Sequence, residues 1–199
     1  MSHFAGEYEC VVVGGGHAGC EAALASARKG HKTLLLTISR DQIALMPCNP
    51  SIGGPAKGVI VREIDALGGE MGINADATAL QAKILNTGKG PAVYALRVQS
   101  DRYAYQRRMI RVLDSEPNLL VRQNVAVALL LDEERRLYGV ETETGARYKA
   151  KTVILCTGTY LNSRVIRGQS NAVSYTHLDV YKRQWFLKPD EQSERPGGH

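Results

Sequence analysis

The chain has 199 residues, of which 44% are hydrophobic, 23% charged and 6% aromatic, with a formal net charge of +5. Those proportions exclude a disordered or collagen-like chain and supply enough apolar material for one globular domain, or for a large piece of a bigger one. No apolar run approaches the ~20 residues a membrane helix needs, so no membrane anchor is expected.

The first ten residues carry two acids and no apolar stretch, so neither a signal nor a transit peptide is expected. The cysteines at 10, 20, 48 and 156 form no CxxC pair and no zinc spacing. A reducing, cytoplasmic setting and no metal site follow as expectations. The charge is uneven. Residues 170–199 hold four basic and four acidic side chains, so all of the +5 lies in residues 1–169. The only Trp (Trp185) and one of the two Phe (Phe186) also lie in that neutral stretch, which places a composition break near Gln169.

Tyr8 to Val13 reads as a short buried strand that ends on Gly14-Gly15-Gly16. His17 to Lys29 has Ala, Leu and Cys at helical spacing, and Gly30 stops it. Lys32 to Thr37 reads as a second buried strand, completing a βαβ unit of about thirty residues. Residues 38–57 read as a loop rich in Pro and Gly, and Gly58 to Leu67 as a helix. Ala92 to Leu113 is predicted as the longest helix, bounded by Gly90-Pro91 and by Glu116-Pro117-Asn118. Short strands are predicted at Leu119–Arg122, Val125–Leu131, Leu137–Thr142, Arg147–Ala150 and Thr152–Cys156. The sum is an α/β fold, a Rossmann-like framework carrying a small antiparallel β-meander.

Gly14, Gly15, Gly16, His17, Ala18 and Gly19 satisfy G-x-G-x-x-G between a predicted strand and a predicted helix, the context that motif requires. Gly14 permits the tight turn, Gly16 lets a pyrophosphate approach, and Gly19 lets helix and strand pack closely. His17 reads as a first-turn spacer beside the phosphate. Glu21 reads either as a solvated helix-start acid or as a neighbour of the nucleotide. The acid that usually binds ribose at the end of the second strand is replaced by Thr37, which shifts weight away from a plain NAD dehydrogenase. The strand Thr152–Cys156 ending in Thr157-Gly158, taken with the meander, favours FAD.

Cys48 lies in Met46-Pro47-Cys48-Asn49-Pro50-Ser51-Ile52-Gly53-Gly54, with Lys57 close enough in sequence to favour a thiolate. Spacing alone leaves it equally a small buried side chain. The predicted long helix bears Arg97, Arg102, Arg107, Arg108 and Arg111 with Tyr103 and Tyr105. Such a stripe either tracks RNA phosphates or is a solvated face that includes Asp101 and Asp114.

Taken together, Gly14–Gly19, Cys48 to Gly54, Asp65-Ala66-Leu67-Gly68-Gly69 and Leu85-Asn86-Thr87-Gly88-Lys89-Gly90-Pro91-Ala92-Val93 resemble the MnmG (GidA) family. These are the FAD-dependent subunits of bacterial tRNA wobble-uridine modifying enzymes, and the likeness runs from about Tyr8 to Leu161. It implies a two-dinucleotide flavoprotein fold, present here as an incomplete N-terminal part. It implies that Gly14 to Gly19 hold the FAD pyrophosphate, that Ala126 meets FAD through its backbone, and that Cys48 takes part in the chemistry. It implies a homodimer working with the GTPase MnmE, using NADH and methylene-tetrahydrofolate to place a carboxymethylaminomethyl group at C5 of the wobble uridine of tRNA. A disulfide reductase would need a redox-active cysteine pair that Cys48 lacks. A folate-dependent tRNA methyltransferase should carry a different loop, and a non-catalytic fragment is a third reading. Beyond Asn162 the likeness fades, and residues 170–199, with Ser170 to Gln184 fitting no motif of the family, read as a chimeric tail attached to an FAD-binding part at 1–169.

Overall fold

The computed structural model describes residues 3–47, 49–158, 164–167 and 170–173. Strand β1 (His3–Val13) leads through helix α1 (His17–Arg28) to β2 (Thr33–Thr37). The chain then leaves this sheet for β3 (Ser51–Gly53), α2 (Lys57–Ala66), α3 (Met71–Ala77), β4 (Ala79–Leu85) and β5 (Ala95–Ser100). Helix α4 (Arg102–Ser115) returns it to β6 (Leu119–Gln123), and β7 (Ala126–Leu131), β8 (Leu137–Thr142) and β9 (Ala146–Leu155) follow. A hairpin of β10 (Arg164–Arg167) and β11 (Ser170–Val173) is the last described element.

The main sheet has the order β6-β2-β1-β9-β8-β7. Its first four strands are parallel, with β1 between β2 and β9. Val11, Val12, Leu34 and Leu35 are all 0% exposed, which is why these strands read as continuous apolar runs rather than alternating ones. The strand period sorts them by face. Val12 and Leu35 pack with Leu24 of α1 and with Tyr105, Met109 and Leu113 of α4. Val11, Val13, Leu34 and Leu36 pack with Ala126, Val140 and Tyr148 of the antiparallel strands. One face of the parallel strands thus carries the helices, and the other packs with side chains from β7, β8 and β9 of the same sheet. A second, three-stranded antiparallel sheet, β3-β5-β4, is built from the excursion between β2 and α4.

The α/β framework and the meander stand as the sequence indicates, but three segments differ. The helix expected over 92–113 is a 3-10 turn (Pro91–Val93), strand β5 and then α4. Ala95, Val98 and Ser100 are buried where β5 pairs with β3 and β4 on either side, so cross-strand packing outweighs helical spacing. The Asp101 carboxylate then caps α4 by accepting from the N–H groups of Tyr103 and Ala104, each at 2.9 Å. The strands expected separately at 147–150 and 152–156 are one strand, β9, which pairs with β8 through its first half and with β1 along its length. Helix α3 and strands β3 and β4 lie in segments where no element was expected. Of the expected tail at 170–199, residues 174–199 lie outside the described residues.

Candidate functional site

The carboxyl ends of β1, β2 and β9 converge on the glycine turn. The Gly14 N–H donates to the Leu36 carbonyl at 2.8 Å, and the Cys156 N–H donates to the Val13 carbonyl at 2.8 Å. Gly14 has φ +111, and a Cβ there would overlap the Cys156 carbonyl. A Cβ on Gly19 would overlap the Gly14 carbonyl, as expected of a residue that lets α1 lie against β1. Gly16 differs. Its φ of −72 suits any residue, and a Cβ there would meet nothing within 4 Å. No demand of the fold calls for glycine at 16. The space in front of it opens from the N-terminus of α1, where unpaired N–H groups and the helix dipole favour an anion.

A cavity of about 390 Å³ begins at this turn. Its wall includes Gly14, Gly15, Gly16, Thr37, Asn124 and Ala126, with Cys156, Thr157 and Gly158 on the β9 side. Ala126 is 3% exposed and opens β7. The Thr37 hydroxyl donates to the Ser39 carbonyl at 3.1 Å, leaving its lone pairs for a ligand. No carboxylate lines this cavity among the described residues.

A second cavity, of about 430 Å³, shares Leu45 and Pro47 with the first. His17, Asn49, Ser51 and Lys57 supply its polar groups, and side chains such as Ile52, Ile60 and Ile64 the rest. His17 opens α1, yet its ring lies against Tyr105 of α4, with centroids 5.7 Å apart. Burial pushes the His17 imidazole below its ordinary pKa, which favours the neutral ring. Cys48 lies outside the described residues, but its neighbours Pro47 and Asn49 both line this second cavity.

Glu21 fits neither expected role. Its carboxylate accepts from the N–H groups of Glu70 and Met71, at 3.0 and 2.6 Å, and so caps the start of α3. Glu70 is 3% exposed and accepts from Arg28 and Arg108, both at 2.6 Å. Burial alone would raise the Glu70 carboxyl; the hydrogen bonds from Arg28 and then Arg108 overcome it and hold the group below the usual range. Sequence reasoning missed this clamp, which ties α3 to α1 and α4 beside the second cavity. The basic stripe is also reduced. Arg97 lies on β5, Arg108 is held by Glu70 and Asn74, and Tyr105 is fully buried. Arg107 and Arg111 are exposed, one turn apart on α4.

A parallel sheet with a βαβ unit, a glycine turn at its carboxyl edge and a cavity running from that turn define a Rossmann-like α/β domain. The chain belongs to the family described as glucose inhibited division protein A, which matches residues 9–177. It is 60% identical over 168 residues to the tRNA uridine 5-carboxymethylaminomethyl modification enzyme MnmG of Bacillus velezensis, covering 84% of this chain and 27% of that protein. The enzyme of the same name from Heliobacterium modesticaldum is 59% identical over 166 residues, covering 83% of this chain and 26% of that protein. The chain therefore spans about a quarter of the length of these relatives. The crystal structure of Aquifex aeolicus GidA superimposes with a TM-score of 0.84 at 43% identity, covering 92% of this chain and 31% of that one. A GidA-related protein from Thermus thermophilus shares the fold, with a TM-score of 0.65 at 22% identity over 91% of this chain and 69% of that one. Among the described residues no helix is long and apolar enough to cross a membrane, and no group of three or more His, Cys, Asp or Glu is placed to hold a metal ion.

Proposed function

We propose that this chain is the FAD-binding front part of a tRNA uridine-modifying flavoenzyme. The observation that carries the reading is Gly16, a glycine that packing does not require, set at a helix N-terminus where a phosphate would need the room. In this reading Gly14 to Gly19 seat the pyrophosphate through backbone N–H groups. The adenosine half runs toward Thr37, Asn124 and the backbone of Ala126. The absence of a carboxylate from the described wall fits a ligand other than a plain NAD.

Bound FAD would supply hydride transfer; the protein supplies binding, orientation and exclusion of water. Cys48 would supply a thiol, with Lys57 close enough in sequence to favour its thiolate. A thiolate adding to C6 of a uracil makes C5 nucleophilic, and a thiol acting as acid and base is the other use of such a group. The whole enzyme would act in the cytoplasm as a homodimer with the GTPase MnmE, drawing on NADH and on methylene-tetrahydrofolate. Kinship with enzymes named for this tRNA modification supports that assignment.

Alone, the 199-residue chain would bind FAD weakly and catalyse nothing, because about three quarters of its relatives' length has no counterpart in it. The test is a flavin absorbance spectrum before and after desalting, alongside an equilibrium titration. Saturable binding that desalting strips is the expected result. Stoichiometric FAD retained after desalting would overturn the weak-binding claim, and no saturable binding would overturn the assignment of the glycine turn.

A further inference from the structure

The first cavity leaves His17 unexplained. The glycine pattern places this residue in the pyrophosphate turn, but its side chain lines the second cavity and not the first. Its Nε2 is closed off from solvent and has no hydrogen-bond partner. A buried polar atom left without a partner is unfavourable, so such an atom calls for an occupant that relieves it. A neutral imidazole has one donor and one acceptor to offer. The wall around it is mostly apolar with a few convergent polar groups, the make-up of a pocket for a planar heterocycle.

The two cavities adjoin across Leu45 and Pro47. A dinucleotide has two halves flanking its pyrophosphate. With the adenosine half in the first cavity, the second cavity, which shares Leu45 and Pro47 with it, is the adjoining space for the other half.

We infer that His17 is a positioning residue of the second cavity, where its imidazole hydrogen-bonds the polar edge of the flavin ring rather than the pyrophosphate. This rests on the reading of the first cavity as an FAD site. The polar edge of a flavin presents carbonyl acceptors beside an N–H donor, which a neutral imidazole can match with either nitrogen after a ring rotation. Tyr105, packed on the imidazole, limits where that ring can go.

The test titrates ADP and FAD separately against the full 199-residue chain and its His17→Ala and His17→Gln variants. ADP affinity should stay within about twofold in all three, since the adenosine half and pyrophosphate are untouched. FAD affinity should fall about tenfold in His17→Ala and recover in part in His17→Gln, whose amide again offers a donor and an acceptor. In the unaltered chain labelled with ¹⁵N-histidine, FAD but not ADP should shift the His17 ring nitrogens. Equal loss of ADP and FAD affinity would return His17 to the pyrophosphate and overturn the inference. Unchanged FAD affinity, or ring nitrogens that FAD does not move, would overturn it as well. In each of those cases intact ADP binding by the unaltered chain leaves the FAD-site reading standing. An unaltered chain that binds neither nucleotide overturns that reading and this inference together.

Discussion

Replacing Gly16 with Ala separates the ligand's demands on the glycine turn from the fold's. The added methyl meets no protein atom within 4 Å, and φ of −72 is ordinary for alanine. Gly16 is also the N-cap of α1, where Ala is less favourable than Gly by several tenths of a kcal/mol. Against that, losing a glycine stiffens the unfolded chain and stabilises the native one by about 0.4–1 kcal/mol. The two nearly cancel, so the free energy of urea unfolding should change by no more than about 0.5 kcal/mol. A phosphate against the Gly16 backbone would feel the methyl directly. Overlap of this kind costs about 1–3 kcal/mol, which weakens ADP binding on the order of tenfold to a hundredfold in calorimetric titration. Gly14→Ala provides the contrast. Its left-handed φ and the overlap with the Cys156 carbonyl should cost about 3 kcal/mol or more in stability, whether or not ligand is present. A Gly16→Ala chain that binds ADP as the unaltered chain does would refute the pyrophosphate assignment. One that unfolds as readily as Gly14→Ala would refute the claim that the protein itself leaves this position open.

Glu70→Gln should cost about 2–4 kcal/mol in urea unfolding at pH 7, since it removes the charge that Arg28 and Arg108 share. Because the folded-state pKa of Glu70 is depressed, its contribution is present above the usual carboxylate pKa and lost as pH falls through the lower folded value. The gap between the two chains should therefore close on acidification, and a gap that widens would refute the clamp. Charge reversal at Arg107 and Arg111 in a complete protein of this family should weaken tRNA binding and flatten its salt dependence. Unchanged binding at every salt concentration would remove α4 from the RNA footprint.

The parallel framework was legible because its strands are buried on both faces, so that Val11–Val13 and Leu34–Leu36 carry a signal no surface strand could imitate. The glycine turn was legible because two of its glycines answer to backbone overlap within the domain itself. The excursion over 51–100 was not. β4 is largely exposed, and β5 is identified by cross-strand partners on β3 and β4 rather than by its own pattern, so its local spacing mimicked the helix that follows it. Ser100-Asp101 ahead of Arg102 was the available sign of where α4 begins. Glu21 and Glu70 escaped for a related reason. Each is an ordinary acid in sequence, and the partners that define them, on α1, α3 and α4, come together only in the folded chain.

The span of β9 bears on when during synthesis the nucleotide cavity can exist. Val13, at the lip of the glycine turn, pairs with Leu155, and the wall of the cavity includes Ala126 of β7 and Cys156 just after β9. A ribosome that has released β1, α1 and β2 has therefore produced the recognisable motif but not the site. Such non-local parallel pairing forms slowly, because loop closure must precede the contacts that reward it. Until β9 docks, the flank of β1 is an open strand edge available to other chains. A ligand spanning the glycine turn and the end of β9 would favour the docked form by mass action, making nucleotide concentration a control on how long that edge stays exposed.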